Sequence, residues 1–216
     1  MENFTSFKSE NDCYHIFHYG NDDAPLFRDR ADFERFLALL HIANNEIHFI
    51  LRGTEAMKVF TVKHCSPLVN ICAYCLLPDR YHIILSDHAA NGTQRFIHKI
   101  DTAYVMYYNN KYKHRGTIFS GSYRAKRTPS KSLLYEFVSR VHLFPFSGKE
   151  SLEPEDRGSE SCAMKNAEGP AATKSDLRAS TKRTMKRAIN RASRYEYSSM
   201  KDYLGEDRPQ KAILAR

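Results

Sequence analysis

Ala73-Tyr74-Cys75-Leu76-Leu77-Pro78-Asp79-Arg80-Tyr81-His82-Ile83-Ile84-Leu85 reads as a strand, a tight turn at Pro78-Asp79 and a return strand. Successive side chains of a strand point to opposite faces, so Arg80 and His82 project side by side from one face of a sheet. Two histidines in those places would make a two-point metal site on a rigid β platform. Here the first is an arginine. A guanidinium is permanently charged and has no lone pair to donate, so it repels a divalent cation and attracts a phosphate.

Outward from this hairpin the pattern continues. Cys13 to Tyr19 alternates as a strand and Gly20-Asn21-Asp22-Asp23 is a turn. Arg28 to Asn44 carries Phe33, Phe36, Leu37 and Leu40 at helical spacing. Ile47 to Leu51 is read as a short strand, and Thr54 to Val62 as a short helix or another strand. The hairpin strands cover about 69–76 and 80–86, Thr93 to Lys111 is a second helix, Ser122 to Thr128 a last strand, and Leu133 to His142 a third helix. Strand, helix, strand, strand, helix, strand is the split βαβ order. It predicts an α+β, ferredoxin-like (RRM-like) antiparallel sheet with helices on one face.

Around this domain, placed at 13–146, the composition shifts. Residues 1–12 are polar and expected to fray. Residues 147–176 are rich in Gly, Ser, Pro, Glu and Ala and read as a linker or insertion. Residues 177–216 follow as a basic C-terminal helical extension, in which Lys182, Arg183, Lys186 and Arg187 crowd one stretch.

The longest apolar run, Ile71 to Leu77, is far too short to span a membrane. Met1-Glu2-Asn3-Phe4 shows no secretory pattern, and the five cysteines are odd in number and irregularly placed, so a cytoplasmic chain with reduced thiols is expected. Cys72 and Cys75 form a CxxC without a second pair. Their spacing within a strand predicts opposite faces and plain core packing.

A net charge of +8 favours a polyanionic partner. No acidic residue occurs between Thr102 and Tyr135, whereas Lys111, Lys113, Arg115, Arg124, Lys126, Arg127 and Lys131 all fall there. Cations neutralise phosphates, and exposed rings stack on unpaired bases. Tyr104, Tyr107 and Tyr108 share one helical stripe, which predicts that these particular rings are mostly buried.

Six stretches, in order, resemble the single-tyrosine transposases with an HUH (His, hydrophobic, His) motif found in bacterial insertion sequences, and their REP-associated relatives. Pro78 to Ile84 is similar to the family's Pro-Asn-His-x-His-Leu-Leu, and Tyr14 to Asn21 to its opening strand. Phe96 to Asn109 looks like its second long helix, and Gly116 to Arg124 like the segment after it. Val141-His142-Leu143-Phe144-Pro145 is similar to its Ile-His-Leu-Asn-Pro. Tyr197-Ser198-Ser199-Met200-Lys201-Asp202-Tyr203-Leu204-Gly205 resembles its Trp/Tyr-Ser-Ser-Tyr-x-x-Tyr-Leu-Gly box.

The resemblance implies the same ferredoxin-like fold and a specific chemistry. A tyrosine attacks a phosphodiester of single-stranded DNA to form a 5′-phosphotyrosine, and Mg²⁺ or Mn²⁺ on the two histidines polarises the phosphate. His82 stands at the second histidine and Arg80 at the first. The family's tyrosine precedes the histidine of Ile-His-Leu-Asn-Pro by nine residues, and that position here is Leu133. Tyr135 is the fallback nucleophile, but two residues along a helix is about 200° around it. The expectation is therefore a transposase-like protein, related to DNA transposition and recombination, that binds hairpin or single-stranded DNA with an impaired nuclease site. Its alternatives are an active single-strand transposase using Tyr135 and His82 with a divalent metal, an RNA-binding module, or a protein-interaction module. The resemblance also brings a homodimer as an expectation.

Overall fold

The structure is a computed structural model that describes residues 13–21, 25–46, 56–62, 66–128, 138–143, 190 and 192–214. Four strands, β1 (Cys13–Tyr19), β2 (Val69–Leu77), β3 (Arg80–Asp87) and β4 (Arg124–Thr128), form an antiparallel sheet in the order β2-β3-β1-β4. Two helices, α1 (Arg30–Ile42) and α2 (Gly92–Tyr112), connect them. This α+β architecture is the one expected from the order of elements. Ala56–Thr61, left open between helix and strand, is a 3-10 turn; Ile47 to Leu51 lies outside the described residues.

Alternation decides what each face of the sheet does. Ile16, Tyr74, Leu76, Tyr81, Ile83 and Leu85 point to one side and join Phe33, Phe36, Leu40, Phe96, Ile100 and Tyr104 in the main core. Burying each such side chain stabilises the fold by roughly 1.5–3 kcal/mol. Tyr104 and Tyr108 are buried there, their hydroxyls donating to the carbonyls of Leu26 and Pro25. The start of α1 is fixed by a capping box. The Asp29 carboxylate accepts from the Asp32 N–H, and Asp32 accepts in return from the Asp29 N–H. The start of α2 is set by contact: a Cβ on Gly92 would lie 2.0 Å from the Leu68 carbonyl oxygen, so no other residue fits without moving backbone.

The opposite face carries a second, smaller cluster. Cys13, Cys72, Ala73, Cys75, Leu77 and Ile84 meet Val138 and Val141 of the helical stretch 138–143, with Tyr195 and Tyr203 packed alongside. Sequence spacing puts Cys72 and Cys75 on opposite faces; in the structure both are on this one. The cause is a bulge between Ile71 and Ala73, which inserts a residue and resets the alternation. Both thiols are buried, and burial raises the pKa of each, which suits packing and not reactivity.

Residues 192–214 belong to the same body. The chain from Tyr197 to Ser199 lies along the outer edge of β2: the Leu76 N–H donates to the Tyr197 carbonyl and the Ser199 N–H to the Tyr74 carbonyl. Ile213 completes the main core.

Candidate nucleic-acid interface

The register of the strands places the residues of interest on the second face. Tyr19 faces Arg80, Phe17 faces both His82 and Arg124, and His15 faces Lys126. Arg80, His82, His15, Phe17, Tyr19, Arg124 and Lys126 thus share one side of β3, β1 and β4. Sequence reasoning brings Arg80 and His82 together and misses His15. The signal available for it was its alternation with Phe17 and Tyr19, but the β1–β3 register was needed to set it beside His82.

His82 and His15 are both buried, and His82 Nδ1 lies 3.1 Å from His15 Nε2. One ring donates an N–H to the lone pair of the other. Burial first, and then the nearby positive charge of Lys126, lowers the His15 pKa to about 4. Burial, followed by His15 and Arg80, holds that of His82 well below its ordinary value. Both rings are neutral at pH 7.

The fit to a divalent metal can be judged from these groups. Arg80 supplies no lone pair, His82 Nδ1 is turned to His15, and no three His, Cys, Asp or Glu side chains gather into a metal-holding group among the described residues. The residues at this position do not fit the cation that the HUH resemblance implies.

Arg80 retains only 15% of its side-chain exposure. Its Nη1 donates to the Asp79 carboxylate at 3.3 Å, and its Nε has no partner among the described residues. The guanidinium lies 5.5 Å from the Tyr19 ring centre, and that of Arg124 lies 5.9 Å from the same ring. Arg124 is exposed and Lys126 half-buried on this face; Arg127 is exposed on the other side of β4. Lys113 and Arg115 are exposed just beyond α2.

Lys111 stands apart from this surface. Its ammonium is 2.7 Å from Asp29 Oδ2 and 2.7 Å from the fully buried Asp32 Oδ1, with the rings of Tyr107 and Tyr112 beside it. Desolvation alone would lower its pKa, yet hydrogen bonds to Asp29 and Asp32 raise it overall. The charge counted toward a nucleic-acid track in the sequence closes an ion-pair cluster between α1 and α2. Lys131, Leu133, Tyr135, Lys182, Arg183, Lys186 and Arg187 lie outside the described residues.

The two motifs His142 and Ser198-Ser199, far apart in sequence, meet. His142 Nε2 is 2.8 Å from Ser199 Oγ, which also accepts from the Tyr74 N–H at 3.0 Å. Burial, with Arg208 nearby, lowers the His142 pKa to about 3. Arg208 binds Asp202 at 2.6 Å and the Ser198 carbonyl at 2.7 Å. These residues fasten the chain end to β2. They hold structure in place and face no open surface.

The middle of the sheet face that carries Arg80 and Arg124 is covered. Phe17, His15 and His82 are all buried, and the β2 side, with Cys72, Ala73, Cys75 and Leu77, packs against Val138, Val141 and Tyr195. No helix among the described residues is long and apolar enough to cross a membrane.

Comparison with known proteins adds little beyond the fold. No family model matches the chain, and no curated protein matches it. Among solved structures, a REP-associated tyrosine transposase bound to a REP hairpin overlaps it with a TM-score of 0.39 and 9% identity, over 75% of this chain and 93% of that one. An overlap of that size assigns neither family nor activity.

Proposed function

We propose that this chain is a transposase-like DNA-binding protein that grips hairpin or single-stranded DNA without cutting it. The observation that carries the reading is the guanidinium of Arg80, set beside a buried, mutually bonded His82–His15 pair where the HUH resemblance calls for two metal-holding imidazoles. What remains on that face is cationic, since Arg124 is exposed beside Arg80 and Lys126 follows it along β4. Lys113 and Arg115, exposed just beyond α2, and Arg127, on the other side of β4, add charge elsewhere on the surface. Such groups suit phosphates, and their binding falls steeply with salt because counterions are released. Leu133 in the attacking position supports the same reading from sequence, since an alkyl side chain cannot form a phosphotyrosine.

A mobility-shift titration of a labelled DNA hairpin with a single-stranded flank, at two salt concentrations, tests binding. Salt-sensitive retention is expected, and absence of retention at low salt ends the reading. Incubation of the same DNA with Mg²⁺ or Mn²⁺ tests silence. The expected result is intact DNA; a covalent adduct that disappears in Tyr135→Phe would show a working nuclease instead.

A further inference from the structure

At the end of the sheet where β1 runs out, the Pro78-Asp79 turn sits and β4 begins, the surface opens into a cleft of about 440 Å³. Tyr19, Asn21, Asp79, Ser120, Ser122 and Arg124 are among the residues that line it. Its walls are fixed by backbone. The Gly20 N–H donates to the Asp79 carbonyl at 2.7 Å, the Asn21 N–H to Ile118 at 2.9 Å and the Ser120 N–H to Tyr19 at 3.0 Å. His18 closes the rear, stacked on Phe119 with ring centres 4.3 Å apart and hydrogen-bonded to Asp101 and to the Gly121 carbonyl. A site held this way is formed before any ligand arrives.

Its chemistry is asymmetric. Two guanidinium groups, Arg80 and Arg124, lie against the one Tyr19 ring, and among the described lining residues Asp79 is the one carboxylate. Arg80 is held by Asp79 behind the lining, with its Nε buried, so the fork that the cleft offers an anion is that of the exposed Arg124. Guanidinium forks match phosphate oxygens in geometry as well as charge. The volume falls within the range of small-molecule sites and exceeds what a bare phosphate fills. Exposed Ser120 and Ser122 hydroxyls and the Asn21 side chain supply donors and acceptors for the rest of the ligand.

We infer that this cleft is a nucleotide site, taking one unpaired deoxynucleotide of a bound strand with its phosphate on Arg124. The inference rests on the DNA-binding reading for the identity of the strand, but the cleft itself can be tested without DNA. The probe is thymidine 5′-monophosphate, titrated into the ¹⁵N-labelled full chain while the amide signals of Gly20, Asn21, Ser120 and Ser122 are followed. Saturable shifts at these amides are expected. Thymidine should give none, Arg124→Ala should weaken binding about fivefold or more through loss of the charged fork, and Arg95→Ala, whose partner is Glu46 elsewhere on the surface, should leave it unchanged.

Silence of these amides, or indifference to Arg124→Ala, overturns the site. Inorganic phosphate binding as tightly as the nucleotide reduces it to a bare anion hole and also overturns it. Tighter binding of uridine 5′-monophosphate overturns the assignment to DNA. In a second arm, a blunt hairpin is compared with one bearing a single-stranded tail. If both bind equally and the cleft amides do not move, the nucleotide site falls while DNA binding stands. If the mononucleotide fills the cleft but neither DNA binds, the site stands and the DNA-binding reading falls.

Discussion

The two edges of the sheet use arginine in opposite ways. At the β2 edge, Tyr197 to Ser199 pair with the strand, and Arg208 is pinned by Asp202, by the Ser198 carbonyl and by the Glu196 carbonyl. At the β4 edge, Arg124 and Arg127 face solvent. Charge on an exposed edge strand also discourages pairing with another chain, a role for the β4 arginines that needs no ligand. A cation count along the sequence treats all of these residues alike. Burial and the presence of a carboxylate partner separate those that hold the fold from those that can meet a ligand, and Lys111 falls on the structural side of that line.

The sharpest way to break the comparison is at the sealed edge. Asp202 has no side-chain exposure and Arg208 only 13%, so Asp202→Asn strands a buried guanidinium. A loss of about 3–5 kcal/mol is expected, read from urea denaturation; a loss below about 1 kcal/mol would mean that the pair does not hold the chain end. Asp32→Asn should come next, at about 2–4 kcal/mol, because Asp32 accepts from Lys111, Tyr107, Tyr112 and the Arg28 N–H. If Lys111→Met were as destabilising, its role in the ion-pair cluster would be confirmed independently of DNA.

Acid should loosen the closed face of the sheet and the β2 edge. His15, at about 4, and His142, at about 3, have folded pKa values depressed by burial, and His82 is shifted the same way. The unfolded chain takes up protons first, near pH 6.5, while the folded chain keeps these rings neutral. The stability they contribute is therefore present above about pH 6.5 and is lost as pH falls toward about 4, by up to about 1.4 kcal/mol per pH unit for each group. Denaturation midpoints at pH 7.5, 6 and 5 should show this fall, and His142→Gln should flatten it by one proton's worth. An unchanged slope would mean that His142 is not held neutral.

The smallest effects on stability belong to the open edge. Arg124→Ala and Lys126→Ala should stay within about 0.5 kcal/mol of the parent in folding, while each lowers the slope of log binding constant against log salt by about 1 if it contacts a phosphate. Equal loss of stability and of DNA affinity would remove the distinction between the edges.

Much of this molecule is legible in sequence because much of it is periodic. The alternation of β1 and β3, the helical spacing of Phe33, Phe36 and Leu40, and the Pro78-Asp79 turn each specify a local element, and their order specifies the sheet. The site is legible only where it depends on residue type, as at Arg80. Placing Cys72 required the bulge at Ile71/Ala73, an event of strand pairing that no spacing records. Bringing His15 to His82, or Ser199 to His142, required contacts between strands and segments distant in the chain.

The chain alone determined an α+β order of elements, a strong positive charge, and a guanidinium that cannot ligate metal, because these follow from local pattern and from the chemistry of single side chains. Tertiary structure decided that the remaining histidine is sealed against His15, that Lys111 closes an ion-pair cluster while Arg124 stays open, and that a polar cleft forms beside Arg124. Those outcomes depend on register and packing, where a one-residue slip moves a side chain to the other face.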